Sequence, residues 1–158
     1  MIDNKKDEKL KPNFKKDLKT IKEGIVFTFG KGDKEIYLVT DPECPYCQKL
    51  EKEKGKILED KYRVHVILFP LPFHKNAVKM SMYILAAKSD KERRERLKEI
   101  INGDKKWQKF NPKNKEEFEK ILNELKKSVN AARELGAQGT PSLYDKNLKQ
   151  LNWTTLGE

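Results

Sequence analysis

Residues 39–50, VTDPECPYCQKL, contain the only two cysteines of the chain, Cys44 and Cys47. The apolar, β-prone run Glu35–Thr40 that leads into this stretch predicts a buried strand. Apolar residues at helical spacing follow Cys47 and predict a helix, whose first position suits Pro45. The two thiols are therefore expected at a strand-to-helix turn, where unpaired N–H groups and the helix dipole favour a thiolate.

Structural uses of a Cys-x-x-Cys pair are less well supported than redox chemistry. Structural zinc needs about four ligands, and the chain has only His65 and His74 to add. We expect His65 in mid-strand and His74 in a loop or the interior, so no metal site is predicted. An inert disulfide would close a very small ring and remove little unfolded-state entropy. A Cys-x-x-Cys beside a strand–helix pattern is instead typical of thioredoxin-like redox motifs.

The composition predicts one heavily charged domain. The chain has 158 residues, 38% of them charged, with a net charge of +10, and about 100–200 residues per domain is usual. Lysine interleaved with glutamate is typical of solvated helix faces. Because no arginine-rich or aromatic–basic tract is present, we expect no nucleic-acid partner. The first 23 residues hold no signal-peptide core or membrane span, so we expect a cytosolic chain or a removed targeting segment, without stable membrane insertion.

We divide the chain into a polar N-terminal tail or helix, residues 1–23, and a catalytic domain, residues 24–158. In the first part, Phe14, Leu18 and Ile21 predict one weak apolar helical stripe.

Further β-prone runs surround the cysteine motif. Ile25–Phe29 is separated from the strand before Cys44 by Gly30-Lys31-Gly32-Asp33, which predicts a β-hairpin. Arg63–Phe69 is apolar enough to predict a central strand covered on both faces. Near the C terminus, Ser142–Tyr144 and Leu148–Asn152 predict a second hairpin.

Helical patterns fill the region between the third strand and this second hairpin. Apolar residues 77, 80, 84 and 87 form one predicted helix face. The capping patterns Ser89-x-x-Glu92 and Asn114-x-x-Glu117 begin two further helices. The second of these is long, and Gly136 ends it.

Two motifs together carry a family resemblance. Asp41-x-x-Cys44-Pro45-Tyr46-Cys47-x-Lys49-Leu50, followed by Gly136-x-x-Gly139-Thr140-Pro141, resembles the catalytic domain of bacterial periplasmic disulfide isomerases of the DsbC/DsbG type. The likeness covers about residues 25–153. The Cys-Pro-Tyr-Cys tetrad of residues 44–47 alone also resembles a glutaredoxin. Glutaredoxins, however, are shorter, lack a helical region of this size after the third strand, and usually carry Thr-Val-Pro followed by Gly-Gly.

The resemblance implies an α/β thioredoxin fold with a helical insertion between the central strand and the cis-proline loop. It implies that Cys44 is the exposed nucleophile and that Cys47 is the buried resolving thiol. Pro45 and Tyr46, between them, would tune how strongly the thiolate is stabilised.

The second motif is implied to bind substrate. Pro141 would be a cis-proline facing the cysteines, and the main chain of Thr140 would pair with an extended substrate segment. The expected partners are unfolded or misoxidised proteins and a protein redox partner, in the periplasm. We see no flavin, nicotinamide or metal motif, so no cofactor is expected.

Three departures from the family pattern limit the resemblance. The residues before the first strand are too few for the dimerisation domain of the family's isomerases, and no final helix is expected after the last hairpin. The buried acid that thioredoxins carry six residues before the nucleophile is replaced by Leu38. We therefore expect proton transfer at Cys47 to use other groups or water.

The sequence thus predicts a thiol–disulfide oxidoreductase that exchanges disulfides with proteins, with isomerase activity as an added feature. Two alternatives stay open. One is a glutaredoxin-like or sulfenic-acid-reducing thiol reductase. The other is a non-catalytic, lysine-rich binding module on a thioredoxin scaffold. The direction of electron flow depends on the reduction potential, which the sequence does not give.

Overall fold

A computed structural model describes residues 15–157 as a five-stranded sheet with helices on both faces. The strand order is β1-β3-β2-β4-β5, with β2 and β3 parallel and all other neighbours antiparallel. The strands are β1 (Phe27–Phe29), β2 (Lys34–Thr40), β3 (Tyr62–Leu68), β4 (Ser142–Asp145) and β5 (Gln150–Leu151). The helices are α1 (Leu18–Glu23), α2 (Pro45–Lys61), α3 (Ala77–Ala86), α4 (Asp90–Ile101) and α5 (Lys115–Leu135), with short 3₁₀ turns at Lys106–Lys109 and Trp153–Thr155.

The predicted hairpin between the first two strands is wrong. β3 lies between β1 and β2, and it pairs with both. The Gly30–Asp33 segment crosses the end of α2 instead, where the amide of Lys31 donates to the carbonyl of Glu59 at 2.8 Å. Gly30 has a φ of +99°, and a Cβ there would overlap the carbonyl oxygen of Tyr62. These glycines therefore permit close approach to the α2–β3 junction rather than a two-strand turn.

The prediction of a central strand covered on both faces is confirmed for β3. On one face, Val64, Val66 and Leu68 pack into a core shared with α2, α3 and α4. On the other, Ile67 joins a smaller core shared with α1 and α5. The alternation follows directly from the two-residue period of a strand. The second predicted hairpin is also observed, as β4 pairs with β5.

The helical insertion consists of α3, α4 and the first 3₁₀ turn, between β3 and α5. Both predicted capping patterns are confirmed, since the side chains of Ser89 and Asn114 accept from the amides of Glu92 and Glu117. Gly136 ends α5 in the left-handed conformation, as expected. The architecture is therefore α/β with the helical insertion where the sequence predicts it.

Helix α1 packs against the C-terminal half of α5. Ile21 is fully buried, whereas Leu18 is 43% exposed, and Phe14 lies outside the described residues. A Cβ at Gly24 would overlap the side chain of Ala131, so the two helices approach closely there. The division at residues 23 and 24 stays a prediction.

No helix among residues 15–157 combines the length and apolar character needed to cross a bilayer.

A buried hydroxyl joins α5, β3 and the end of α1. Ser128 Oγ accepts from the amide of Leu68 at 2.7 Å and donates to the carbonyl of Gly24 at 2.8 Å. Ser81 in α3 is equally buried, but its hydroxyl has no hydrogen-bond partner within the described residues. The two serines therefore differ in hydrogen bonding and not in burial.

We predict that Ser128→Ala lowers the free energy of unfolding by about 2 kcal/mol or more, because it leaves two buried backbone groups unpaired. Ser81→Ala is the matched control and should be neutral or slightly stabilising, since it removes an unpaired hydroxyl. Urea denaturation of both variants measures the difference. Equal effects would show that the Ser128 hydrogen bonds do not contribute to stability.

Candidate active site

Cys44 and Cys47 lie at the N-terminal end of α2, directly after β2. Cys44 is the N-cap residue, and Pro45 occupies the first helical turn, as the sequence predicts. Both cysteines are free thiols. Cys47 is 2% exposed, as expected, but Cys44 is only 4% exposed. The expected exposure of Cys44 is therefore not observed, because neighbouring loops cover it.

The two thiols have opposite acidities. A hydrogen bond from the Cys47 side chain is the main cause that lowers the pKa of Cys44 from 9.0 to about 5. The Thr140 side chain and the amides of Cys47 and Tyr46 act in the same direction, against burial. Burial, in contrast, raises the pKa of Cys47, and its hydrogen bond to Cys44 adds to this. One thiolate beside one thiol is the arrangement that results at neutral pH.

The loop before β4 lies against this thiolate. Cys44 Sγ is 3.5 Å from the carbonyl oxygen of Thr140, and the Thr140–Pro141 peptide bond is cis. The Thr140 hydroxyl is buried and makes no hydrogen bond of standard geometry within the described residues. The structure thus brings together both predicted motifs, which are separated by about ninety residues in the sequence.

Pro45 and Tyr46, the residues between the cysteines, both face solvent. The Tyr46 side chain is 64% exposed. Its backbone amide is one of the groups that lower the pKa of Cys44. The direct electrostatic effect of Tyr46 on the thiolate therefore comes from its main chain and not from its phenol ring.

A buried carboxylate lies next to the cysteines and was not assigned a role from the sequence. Asp41 has no exposed surface. Its oxygens accept from the amide of Glu43 at 2.9 Å, the amide of Leu71 at 2.9 Å and Nδ1 of His74 at 2.7 Å. Its own amide donates to Cys47 Sγ at 3.4 Å. Asp41 therefore joins the cysteine loop to the loop that follows β3.

Glu43 makes a second connection between the same two loops. Its carboxylate accepts from the amide and from the side-chain nitrogen of Asn76, both at 2.8 Å. His74 lies between Leu71 and Asn76 and is mostly shielded from solvent. The expected position of His74 in a loop or the interior is confirmed, and its partner Asp41 is a finding of the structure.

One signal in the sequence pointed to this meeting of loops. β2 and β3 both end in buried apolar runs, residues 36–39 and 66–68, which is typical of parallel neighbours. The carboxyl ends of parallel strands open at the same edge of a sheet. Asp41 follows the first strand directly, and His74 follows the second within six residues. Recognising the parallel pair would have placed them together.

No group of three or more histidine, cysteine, aspartate or glutamate side chains arranged to hold a metal ion occurs among residues 15–157.

Sequence comparison identifies the family. The sequence model of the thioredoxin-like domain matches residues 14–147, which is most of the chain. The chain belongs to the thioredoxin-like domain family. The expected thioredoxin fold with a helical insertion is thereby confirmed. No protein of curated function matches the sequence of this family member.

Solved structures agree with this thioredoxin-like fold. A conserved protein of unknown function from Enterococcus faecalis has a TM-score of 0.63 at 13% identity, covering 88% of this chain and 89% of its own. The thiol-disulfide exchange protein alpha-DsbA2 from Wolbachia pipientis has a TM-score of 0.59 at 18% identity, covering 88% and 89%. A periplasmic thioredoxin-like protein from Salmonella enterica serovar Typhimurium has a TM-score of 0.57 at 20% identity, covering 86% and 91%. At these identities the likeness establishes the fold alone.

We predict that alkylation of Cys44 in the reduced protein depends on pH with a midpoint of about 5. The thiolate is the reactive form, so the rate should fall as the pH decreases through this value and stay nearly constant above it. Iodoacetamide labelling followed by peptide mapping separates Cys44 from Cys47. A midpoint near the free-cysteine value of about 8.5 would contradict the described environment.

Proposed function

We propose that this protein is a thiol–disulfide oxidoreductase in which Cys44 and Cys47 exchange disulfides with protein substrates. The observation that carries the proposal is that both cysteines lie at the N-terminal end of α2, with Cys47 buried and hydrogen-bonded to Cys44, an arrangement that lowers the pKa of Cys44 to about 5 and raises that of Cys47. A reactive thiolate beside a protonated thiol is what sequential disulfide exchange needs. It also favours an enzyme over the alternative of a non-catalytic binding module, which has no need of an activated thiol.

In the proposed reaction, the Cys44 thiolate attacks one sulfur of a substrate disulfide. The substrate S–S bond breaks, a mixed disulfide forms, and the departing sulfur takes a proton from solvent. Cys47 then loses its proton and attacks Cys44 Sγ, which releases the second substrate sulfur as a thiolate. Two electrons have passed from the cysteine pair to the substrate, and Cys44–Cys47 is a disulfide. The reverse sequence donates that disulfide to a substrate dithiol.

We assign substrate binding to Thr140 and Pro141. The Thr140 carbonyl lies beside Cys44 Sγ, so an extended segment paired with the Thr140 main chain would carry its disulfide to the nucleophile. Main-chain pairing of this kind gives affinity without demanding a particular substrate sequence. It therefore suits unfolded or misoxidised protein substrates.

The acidity of Cys44 favours disulfide donation as the main direction. A stabilised thiolate stabilises the reduced form of the pair, which makes the disulfide form a stronger oxidant. A net donor needs an oxidising compartment and a protein partner that reoxidises it. We therefore propose the periplasm as its location, in keeping with the DsbC/DsbG resemblance, and we place isomerase activity second to donation.

We predict that Cys47→Ser traps mixed disulfides with substrate proteins, whereas Cys44→Ser traps none. The first variant keeps the nucleophile but lacks the thiol that resolves the intermediate. The second lacks the nucleophile, and it serves as a matched control because both changes replace a buried sulfur by oxygen. Non-reducing gels with a reduced and denatured substrate in glutathione buffer measure the adducts. Equal trapping by both variants would mean that the assigned roles are wrong.

Two ribonuclease assays separate the proposed activities. The oxidised protein should oxidise reduced ribonuclease in stoichiometric amounts and should be much slower in unscrambling randomly oxidised ribonuclease. Insulin reduction, run in parallel, tests the alternative of a thiol reductase. Faster unscrambling than oxidation would favour the isomerase. Activity in none of the three assays would contradict the proposed function.

A further inference from the structure

Asp41 and His74 form a pair that the exchange reaction described above does not use. The carboxylate of Asp41 is fully buried and is held by two backbone amides as well as by His74 Nδ1. Burying a carboxylate is costly unless it is paired and hydrogen-bonded. Protonated imidazole supplies the missing positive charge, so Asp41 favours the charged form of His74.

His74 is joined to the cysteines through Asp41, whose carbonyl accepts from the amide of Cys44 at 3.1 Å and whose amide donates to Cys47 Sγ at 3.4 Å. The groups that act on His74 therefore come from the β2–α2 connection. The hydrogen bond to Asp41 is the main cause that raises the pKa of His74, against a smaller effect of burial, and the charges of Asp41, Cys44 and Glu43 add to it. On its own loop, the neighbouring Lys75 faces solvent. The Glu43 carboxylate is already bound by Asn76. Of these charges, only that of Cys44 changes when the cysteine pair is oxidised.

We propose that the His74 imidazolium, held by Asp41, is the electrostatic partner of the Cys44 thiolate, so that the protonation of His74 is coupled to the redox state of the cysteines. The inference rests on the proposed function only in requiring that Cys44 alternates between thiolate and disulfide. His74 is a positioning and charge-balancing residue here, since it acts on the thiolate through space.

The coupling has a definite proton balance. A dithiol reductant supplies two electrons and two protons when it reduces Cys44–Cys47. The S–S bond breaks, Cys47 takes one proton, and Cys44 remains a thiolate. The new negative charge raises the proton affinity of His74, so in molecules where His74 was neutral the second proton goes to the imidazole, and otherwise it goes to solvent. Coupling of this kind is reciprocal, so the imidazolium must in turn favour the thiolate.

The first test uses the unaltered protein. His74 and His65 are titrated by NMR in the reduced protein and in the protein with the Cys44–Cys47 disulfide formed by a chemical oxidant. We expect the pKa of His74 to be about one unit higher in the reduced form, since one nearby charge shifts a pKa by about 1–3 units. His65 also pairs with a carboxylate, that of Glu35 at 2.8 Å, and is the internal control, since a redox-linked change seen equally at both histidines would not be specific to His74. Identical titration of His74 in the two forms would overturn the inference.

The second test measures Cys44 in variants. His74→Gln should raise the midpoint of Cys44 alkylation by about one pH unit, and His74→Lys should restore most of the shift because it keeps a positive charge. His65→Gln is the matched control and should leave the midpoint unchanged. A purely structural role of His74 predicts a lower melting temperature with no change in midpoint. That result in folded His74→Gln, or failure of His74→Lys to restore the shift, would contradict the inference.

These outcomes are separable from those of the proposed function. Neither the NMR titration nor the alkylation midpoint requires a protein substrate. Shifted midpoints without ribonuclease oxidation would contradict the proposed function alone, whereas oxidation without any shift would contradict the coupling alone. If His74→Gln does not fold, the NMR comparison in the unaltered protein still decides.

Discussion

The parallel pairing of β2 with β3 determines where the active site forms. The two strands end in register, with Thr40 opposite Leu68, so the segments that follow them leave the sheet at the same edge. The amide of Phe69 extends the pairing by donating to the carbonyl of Thr40 at 2.8 Å. β4 runs antiparallel to β2 and begins opposite Val39, which brings the preceding Thr140 and Pro141 to that edge as well. Three loops distant in sequence therefore meet without any of them being long.

Asp41 shows how this meeting point tolerates two negative groups close together. A buried carboxylate beside a thiolate would normally disfavour the thiolate, since like charges repel in a poorly solvated site. Here the carboxylate is balanced by His74, and the thiolate is stabilised by the Cys47 thiol and by amides at the start of α2. Each negative group has hydrogen-bond donors of its own, and in the proposed coupling the imidazolium that balances Asp41 also favours the thiolate, so the pKa of Cys44 can remain low beside Asp41. Asp41 is therefore compatible with a reactive Cys44 because His74 balances the charge of the carboxylate.

The sequence alone predicts most of the helices and strands. It also identifies the two loops that carry the predicted site residues Cys44, Cys47, Thr140 and Pro141. Capping residues such as Ser89, Asn114 and Gly136 mark helix ends by local hydrogen bonding, which a single sequence reveals. The false hairpin at residues 30–33 has the opposite cause, because which strands become neighbours depends on long-range pairing. The Asp41–His74 pair was missed for the same reason. Leu38 stands where thioredoxins carry a buried acid, whereas the buried acid of this protein, Asp41, lies three residues further along the chain.

The helical insertion is attached to the active-site helix away from its reactive end. Arg94 of α4 is 6% exposed, binds both carboxylate oxygens of Glu51 at 2.6 and 2.8 Å and stacks over the Phe29 ring at 3.6 Å. Lysine could not replace it, because only the planar guanidinium combines a two-point hydrogen bond with stacking. A buried ion pair contributes little net stability, because the cost of desolvating both charges offsets their attraction. Through these contacts Arg94 joins the insertion to α2 at the second turn of α2. The first turn of α2, with Cys44, lies against the loops whose groups set the pKa of Cys44.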